Sequence, residues 1–311
     1  MVIYPPDTAA AAGGPAPEAQ HVLFLPDGYT AEGIAINDTT ATFYADSHVT
    51  GDIYAGNLFT GRGRLLVHDT VAGEQAYGVS IDPQGRLWVA YGATGQIRVF
   101  DPRTGRRLAT YQVGPRNGSG LINDLLVTPN AVYATDSVAQ QLYVLPLPGH
   151  GRLPGAGAGR VVRLVGDIHY SPTGRYDLPF NANGIQPTPD GRALLIDQTN
   201  AGLLFRVDPR TGVTRTVRLS GGDLAFADGL HRIGTVLYVA QNDSGQVAEV
   251  VLAENGSTGR IVAHPTATRP YQRPAALAVF DGRMYVSQMI SLDPYRTPDR
   301  IDSFPLPGHR R

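Results

Sequence analysis

A unit of about 45 residues recurs along this chain of 311 residues, and it constrains the fold more than any other feature of the sequence. Each copy contains a strand of alternating apolar residues, a short turn, a second strand rich in Tyr, Val and Ala, and then further strands. The intervals between equivalent positions are 45, 46, 60, 45 and 47 residues, so the chain contains six copies and one insertion. Those equivalent positions are Glu32, Tyr77, Asn123, Asn183, Asp228 and Ala275.

Four strands per unit at this period are typical of a β-propeller, in which each blade is a small sheet packed between its neighbours. The strands are rich in apolar, β-branched and aromatic residues, which suits sheets covered on both faces. Turns written PQG, PDG and PRTG suit tight hairpins. We therefore predict an all-β fold, a six-bladed β-propeller with four antiparallel strands per blade.

A closed ring of blades needs a strand from one terminus to complete the last blade. The segment HVLFLP at 21–26 precedes the first copy, so we predict that it closes the ring as the outer strand of blade six, beside 301–306. Residues 1–20 are rich in Ala, Pro and Gly and are expected to form a disordered leader. Residues 21–311 are then a single propeller domain with an insertion at 148–180, between blades three and four.

The basic residues are all Arg, 26 of them against 27 acidic residues, and the chain has no Lys and no Cys. These absences exclude a Schiff-base lysine, a P-loop lysine, a thiol nucleophile, disulfides and cysteine-ligated metal sites. A formal net charge of −1 without a basic run argues against nucleic acid or a membrane surface as a partner. The expected partner is a small-molecule substrate, and a closed propeller, which hides its strand edges, is expected to be a monomer.

The first twenty residues lack the positive n-region and the continuous apolar h-region of a signal peptide. No run of 18 apolar residues is present to span a membrane. We therefore expect a cytoplasmic protein, or a secreted one if a signal peptide has been removed.

In a propeller the first residue of each inner strand projects toward the axis at the top of the central channel. Four of the six such residues carry oxygen donors, namely the carboxylates of Glu32 and Asp228 and the carboxamides of Asn123 and Asn183. Two carboxylates that meet at one axis repel unless a cation lies between them. Oxygen ligands without His or Cys suit Ca²⁺ or Mg²⁺ rather than Zn²⁺ or Cu²⁺. The pattern predicts a divalent cation there, although Asn-Gly and Asp-Gly pairs are also ordinary turn formers.

At these residues the chain resembles the regucalcin and gluconolactonase-like family of six-bladed propellers. The resemblance lies in the motifs AEGIAIND, INDLLVTPNAVYATDS, NANGIQPTPDGRALLIDQT and ADGLHRIGTVLYVAQN. It implies a metal ion held by Glu32, Asn183 and Asp228, with Asn123 as a further ligand. It also implies that Asp228 acts as general base or nucleophile beside the metal.

Two departures from the family pattern concern the substrate. Ile34 stands where the family has a Pro after the Glu-Gly pair. The Arg and Asn contacts that some sugar lactonases use in the second blade are not recognisable around Glu74, Gln75 and Tyr77. A sugar-acid lactone is therefore not the expected substrate.

The first function hypothesis is a divalent-metal-dependent hydrolase that acts on a lactone or related ester at the channel mouth. The cation would polarise the carbonyl group, and Asp228 would take a proton from water or attack directly. Asn123 is expected to orient the substrate. Three more substrate-binding residues are predicted from their positions near the channel: Tyr77, His231 and Tyr271.

Two other hypotheses stay open. A non-hydrolytic cyclase or isomerase of specialised metabolism would use an aromatic pocket formed by His169, Tyr170 and Tyr176 of the insertion and the RPYQRP run at 269–274. A non-catalytic propeller would hold a structural calcium and bind proteins through its top face. The eight His residues include no HxxxH or HxH pair for zinc, and the chain has no GxSxG elbow.

Overall fold

The fold was analysed in a computed structural model that describes residues 19, 21–27, 29–68, 74–267, 269–289 and 300–307. Over these ranges the chain is all-β, with 26 strands and no helix. The described residues accordingly include no helix that is long and apolar enough to cross a membrane. Of the predicted leader, residues 1–20, only Ala19 is described, and it is buried.

The strands of the first half of the chain form three blades and the strand that precedes them. The first strand is β1 (Val22–Phe24). Blade one consists of β2 (Ala31–Asn37), β3 (Thr42–Ser47), β4 (Ile53–Asn57) and β5 (Gly63–Val67). Blade two consists of β6 (Val79–Ile81), β7 (Leu87–Tyr91), β8 (Gln96–Phe100) and β9 (Arg107–Gln112). Blade three consists of β10 (Ile122–Val127), β11 (Ala131–Asp136), β12 (Gln141–Pro146) and β13 (Arg160–Arg163).

The second half forms the remaining three blades. Blade four contains β14 (Val165–Gly166), β15 (Ala182–Pro187), β16 (Leu194–Gln198), β17 (Leu203–Val207) and β18 (Val213–Thr216). Blade five contains β19 (Arg218–Ser220), β20 (Ala227–Ile233), β21 (Val236–Gln241), β22 (Gln246–Leu252) and β23 (Thr258–Ala263). Blade six contains β24 (Pro274–Phe280), β25 (Arg283–Gln288) and β26 (Arg300–Pro305), together with β1.

Blade six closes the ring with strands from both ends of the chain. Strand β1 pairs antiparallel with β26, so that Val22 lies opposite Asp302 and Phe24 lies opposite Arg300. The other strands of this blade follow in the order β26, β25 and β24 toward the axis. The predicted six blades and the predicted closing strand are both confirmed.

Blades four and five differ from the prediction of four antiparallel strands, because each has a fifth, short strand. Strand β14 pairs parallel with β18, and β19 pairs parallel with β23. Each extra strand lies in the connection that leaves the outer strand of the preceding blade. That connection runs along the outer edge of the next blade before it crosses to the axis, and so covers an otherwise unpaired strand edge.

The hydrophobic core is divided among the spaces between neighbouring blades. Trp88 of blade two, which is fully buried, packs in one cluster with Leu125 and Val132 of blade three. The Trp88 ring also stacks on the Tyr111 ring, with centroids 5.9 Å apart. Burial of an aromatic or aliphatic side chain of this size stabilises the fold by about 1.5–3 kcal/mol. The axis is thus surrounded by rigid, close-packed sheets.

Candidate active site

Two cavities meet on the propeller axis. The first, here called the channel, has a volume of about 340 Å³ and is lined by inner-strand residues such as Ile36, Leu126, Gln186 and Val279. The second, here called the mouth pocket, has a volume of about 200 Å³ and is lined by residues of the connecting loops and strand ends. Five residues line both cavities, and we call them the axial ring: Glu32, Tyr77, Asn123, Asn183 and Asp228.

Local irregularities in the inner strands direct the axial-ring side chains inward. In blade four the register shifts between Ala182 and Ile185, on either side of Asn183. Blade five shows the same shift between Ala227 and Leu230, on either side of Asp228. A bulge of this kind re-aims a side chain that a regular strand would point into the sheet interface. The inward position of the ring residues is therefore a property of the backbone.

The glycines that follow the ring residues serve close packing around the axis rather than turn formation. A Cβ atom on Gly184 would collide with the main-chain oxygen of Asp228, and one on Gly229 would collide with that of Ala275. Because the inner strands approach so closely, only glycine fits at these two positions.

The two ring amides are anchored through their NH₂ groups. The Nδ2 atom of Asn123 donates to Ser137 Oγ at 2.9 Å, and that of Asn183 donates to Thr199 Oγ1 at 3.1 Å. Ser137 Oγ in turn donates to the main-chain oxygen of Ala182 at 2.7 Å. The Asn183 side chain also hydrogen-bonds Asp228 within the ring. The carbonyl oxygen of each amide can act as an acceptor or as a metal ligand.

A chain of three polar side chains orients Asp228. Asn242 Nδ2 donates to Asp228 Oδ2 at 2.8 Å, and Arg273 Nε donates to Asn242 Oδ1 at 2.9 Å. Arg273 Nη2 lies 2.9 Å from Asp243 Oδ1, so its charge is shared with a second carboxylate. Asp228 Oδ2 is therefore engaged with the blade, and Asn242 keeps the carboxyl group in one orientation.

Glu32, the second carboxylate of the ring, lies against His48. Glu32 Oε2 is 2.7 Å from His48 Nδ1, and the His48 ring meets the Tyr77 ring edge to face, with centroids 4.7 Å apart. Burial lowers the pKa of His48 below its usual value, although the charge of Asp46 opposes this shift. His48 therefore does not supply a full positive charge to the ring at neutral pH.

Groups behind the ring hold the main chain of the two opposed residues Glu32 and Asn183. Ser287 Oγ of blade six donates to the main-chain oxygen of Glu32 at 2.6 Å, and Thr135 Oγ1 of blade three donates to that of Asn183 at 2.7 Å. Asp46 Oδ1 accepts the N–H of Gly33 at 2.7 Å. Each of these two ring residues is thus bonded by the neighbouring blade.

Five carboxyl groups are concentrated around the axis, and burial raises the pKa of each of them. It raises the pKa of Asp46 to about 6, that of Asp124 to about 7 and that of Asp228 to about 8. The pKa values of Glu32 and Asp197 are also raised well above the usual range, by burial first and by neighbouring carboxylates second. The nearby His48 and Arg273 do not balance this concentration of acid.

The axial ring suits a hard divalent cation by the chemistry of its donors. Two carboxylates and two amide oxygens make an all-oxygen set, and their charge matches that of a divalent ion. Glu32 Oε2 is buried and has no hydrogen-bond donor with suitable geometry. The described residues contain no group of three or more His, Asp or Glu side chains that could hold a metal, so any ion at the axis depends on the amides.

Five of the seven predicted site residues lie together in the axial ring. The other two, His231 and Tyr271, lie outside it. His231 lines the channel on the far side of the ring from the mouth pocket. Tyr271 lines neither cavity and packs between blades five and six beside Tyr238 and Phe304. Two residues further on, Arg273 reaches the mouth pocket in its place. In a regular extended segment the side chains at i and i+2 lie on the same side. Tyr271 and Arg273 do not, because the chain bends between them.

The mouth pocket includes functional candidates that the sequence reasoning missed. Four of them directly follow the last residue of the second strand of a blade. In the sequence they lie 14 or 16 positions after the equivalent repeat positions Glu32, Asn183, Asp228 and Ala275. Antiparallel pairing of the first two strands brings the end of the second strand back beside the start of the first, and the position after each second strand is a signal that the sequence does contain. The four are His48, Thr199, Asn242 and Met289.

His231 provides a test of burial in the channel. Burial lowers the pKa of His231 to about 4, against a small opposing effect of its hydrogen bond with the main chain of Leu277. In the unfolded chain the pKa of His231 is about 6.5, so the unfolded state binds a proton more readily than the folded state. The free energy of unfolding therefore rises with pH between about 4 and 6.5. The contribution is complete above pH 6.5 and amounts to about 3 kcal/mol.

We expect His231→Gln to show a smaller loss of unfolding free energy than the wild type when the pH falls from 6.5 to 4. Urea denaturation of both proteins at a series of pH values measures the difference. Parallel pH profiles for the two proteins would mean that His231 is hydrated and titrates normally.

Comparisons with known proteins identify the architecture. No protein-family model matches the sequence, and no curated protein matches it. Solved structures do match over nearly the whole chain. A calcium-binding protein, regucalcin, from Agrobacterium tumefaciens is 14% identical, with a TM-score of 0.61 over 94% of this chain and 98% of that one. The fold is that of the regucalcin-like propellers.

Two enzymes have the same architecture. A gluconolactonase from Xanthomonas campestris is 19% identical, with a TM-score of 0.59 over 91% of this chain and 89% of that one. Virginiamycin B lyase from Staphylococcus aureus is 15% identical, with a TM-score of 0.61 over 93% of this chain and 99% of that one. At these identities the comparisons establish the fold, and the site itself has to carry any argument about activity.

Proposed function

We propose that this protein is a hydrolase that acts on a lactone or related ester in the mouth pocket, with Ca²⁺ or Mg²⁺ as its cofactor. The observation that carries this proposal is the axial ring, in which two carboxylates and two oriented amides line both cavities. The residues that would hold the cation are Glu32, Asn123, Asn183 and Asp228. A divalent cation bound there supplies Lewis acidity toward a substrate carbonyl.

The protein's own groups complete the reaction. Asp228 is the ring carboxyl group assigned to accept the proton of a water molecule, and hydrogen bonds with Asn242 and Asn183 orient it for this role. Asn123 and Asn183 lie beside it in both cavities and can orient the substrate.

The structural neighbours support this proposal at the level of the reaction class. One neighbour is described as a gluconolactonase, and another as a calcium-binding protein. Both have the propeller architecture on which the axial ring of this chain is built. The direct test is turnover of a lactone and ester panel with Ca²⁺, with Mg²⁺ and with a chelator. Turnover that a chelator leaves unchanged would contradict the metal-dependent mechanism.

A lyase or isomerase reaction is the second candidate, and the composition of the mouth pocket favours it. Leu178, Phe180 and Phe226 give the pocket an apolar side that suits chemistry without water. Virginiamycin B lyase, another neighbour, has the same fold. A non-catalytic propeller with a structural calcium would bind the cation and turn over neither class of substrate.

Oxygen isotope labelling separates the two catalytic candidates. In water enriched in ¹⁸O, hydrolysis of a lactone is expected to place one ¹⁸O atom in the product carboxylate, because water is the nucleophile. Mass spectrometry of the product measures the incorporation. A ring-opened or rearranged product without ¹⁸O would exclude hydrolysis and favour the lyase or isomerase reaction.

A further inference from the structure

Part of the mouth pocket is a wall of apolar side chains, to which the proposed hydrolase mechanism assigns no role. Three elements contribute to it: the segment between β14 and β15, the loop before β20, and the end of β25. Three of the four side chains are only half-buried, so they present hydrocarbon surface to the pocket. The members of this apolar wall are Leu178, Phe180, Phe226 and Met289.

The apolar wall is held in place before any ligand arrives. The Tyr176 ring packs on the Phe226 ring, with centroids 4.5 Å apart. Arg175 Nη1 pairs with Asp223 Oδ2 at 3.2 Å, which joins the segment before β15 to the loop before β20. Asn200 Nδ2 donates to the main-chain oxygen of Leu178 at 3.1 Å. These contacts join the segment before β15 of blade four, which carries Leu178, to the loop before β20 of blade five, which carries Phe226, so these two parts of the wall are held together without a ligand.

Phe226 itself has a backbone conformation that is rare for a residue with a side chain, with φ of 56°. Such a conformation is retained where the surrounding structure requires it, and functional sites are where it concentrates. The N–H of Asn242, which orients Asp228, donates to the main-chain oxygen of Phe226 at 2.9 Å. The same loop therefore supports the apolar wall and the catalytic carboxylate.

Polar groups from all six blades line the mouth pocket, so the apolar wall is a patch within a polar setting. Asn183 and Asp228 of blades four and five line the pocket beside the wall, and His48 and Tyr77 of blades one and two line it across the axis. The four wall side chains themselves carry no strong hydrogen-bonding side-chain group that could replace water. Sugar hydroxyl groups placed against the wall would lose their water and gain no partner, which is unfavourable. A hydrocarbon group placed there loses nothing and buries apolar surface.

We propose that the ligand of the mouth pocket is a lactone or ester that carries a compact hydrocarbon or aromatic group, which lies against the apolar wall. The lactone or ester group of this ligand is inferred from the proposed function, and its hydrocarbon group is inferred from the apolar wall. The volume of about 200 Å³ suits a small ligand, since drug-sized molecules occupy pockets of about 300–1,000 Å³. A polyhydroxylated sugar lactone does not fit this chemistry.

The test compares γ-decalactone with glucono-δ-lactone as substrates and uses the γ-lactam with the same hydrocarbon chain as a ligand that is not hydrolysed. We expect kcat/KM to favour γ-decalactone by at least tenfold, and calorimetry to detect binding of the lactam. Phe180→Ser and, independently, Leu178→Ser are each expected to lower kcat/KM for γ-decalactone by about 10- to 100-fold and to weaken lactam binding. Val161→Ser, an equivalent change at a half-exposed position on an outer strand, is the matched control and should change neither.

The outcomes separate this inference from the proposed function. Preferred turnover of glucono-δ-lactone, or an unchanged preference in both wall variants, would overturn the ligand class and leave the hydrolase intact. Lactam binding that the wall variants weaken, without hydrolysis of any ester, would support the ligand class and overturn the hydrolase. Absence of both binding and turnover in the wild-type protein would overturn both.

Discussion

Asp228→Asn is expected to lower kcat for lactone hydrolysis by about 10²- to 10⁴-fold, the range that a general base contributes. Asn retains the shape of the side chain and can still accept the hydrogen bond from Asn242, which is 2.8 Å long in the wild type. It cannot accept a proton from water. Steady-state kinetics on the best substrate of the panel measures the loss, with isothermal calorimetry to follow the cation in the same preparation.

Asp208→Asn is the matched control for this experiment. Asp208 lies in the turn between β17 and β18, where its Oδ1 accepts the N–H of Arg210 at 2.8 Å, and an Asn side chain can accept the same bond. This variant should retain full activity. Full turnover by Asp228→Asn while the cation stays bound would show that Asp228 is not the base.

Addition of saturating Ca²⁺ is expected to raise the melting temperature by about 10 °C relative to the protein in chelator, if the cation is present at about 1,000 times its Kd. The physical reason is the concentration of buried carboxyl groups at the axis. In the absence of a cation, burial and the neighbouring Glu32 raise the pKa of Asp228, and burial, Asp46 and Asp124 raise that of Glu32. A cation that binds only the folded ring removes this cost from the folded state.

Glu32→Gln separates this effect from general ion binding. The variant should lose most of the stabilisation by Ca²⁺ and be at least as stable as the wild type in chelator, because it removes the repulsion of Glu32 by Asp46 and Asp124. Glu254→Gln, at an exposed position, should respond to Ca²⁺ as the wild type does. Differential scanning fluorimetry of the three proteins measures the shifts, and an equal shift in Glu32→Gln would place the stabilising ion elsewhere.

The blade count, the closing strand and the residues of the axial ring could all be predicted from the sequence, and for one reason. A propeller repeats its geometry, so residues at one phase of a 45-residue period occupy equivalent places around an axis. Glu32 and Asn183 are 151 positions apart in the chain, yet their shared phase was enough to bring them to one site. The same phase logic, applied to the second strands, would also have found Asn242.

The remaining residues of the mouth pocket follow no period. Phe180 lies in the segment between β14 and β15, and Phe226 lies in a loop with unusual backbone geometry. Their positions depend on contacts such as the packing of Tyr176 on Phe226. The prediction chose Tyr271 from the RPYQRP run, whereas Arg273 is the residue that lines the pocket. Which side chain of a loop faces a site is decided by tertiary packing, and neither composition nor spacing contains that information.

The metal content of the purified protein tests the central claim most directly. Equilibrium dialysis against Ca²⁺, followed by inductively coupled plasma mass spectrometry, is predicted to find one ion per wild-type chain and less than a tenth of that in Glu32→Gln. A smaller loss is predicted in Asp228→Asn, because Asn242 already engages Oδ2 of Asp228, whereas Glu32 Oε2 has no hydrogen-bond donor with suitable geometry and is left for the ion. A wild-type protein without bound Ca²⁺ or Mg²⁺, or a Glu32→Gln variant that keeps its ion, would contradict the assignment of the axial ring as a cation site.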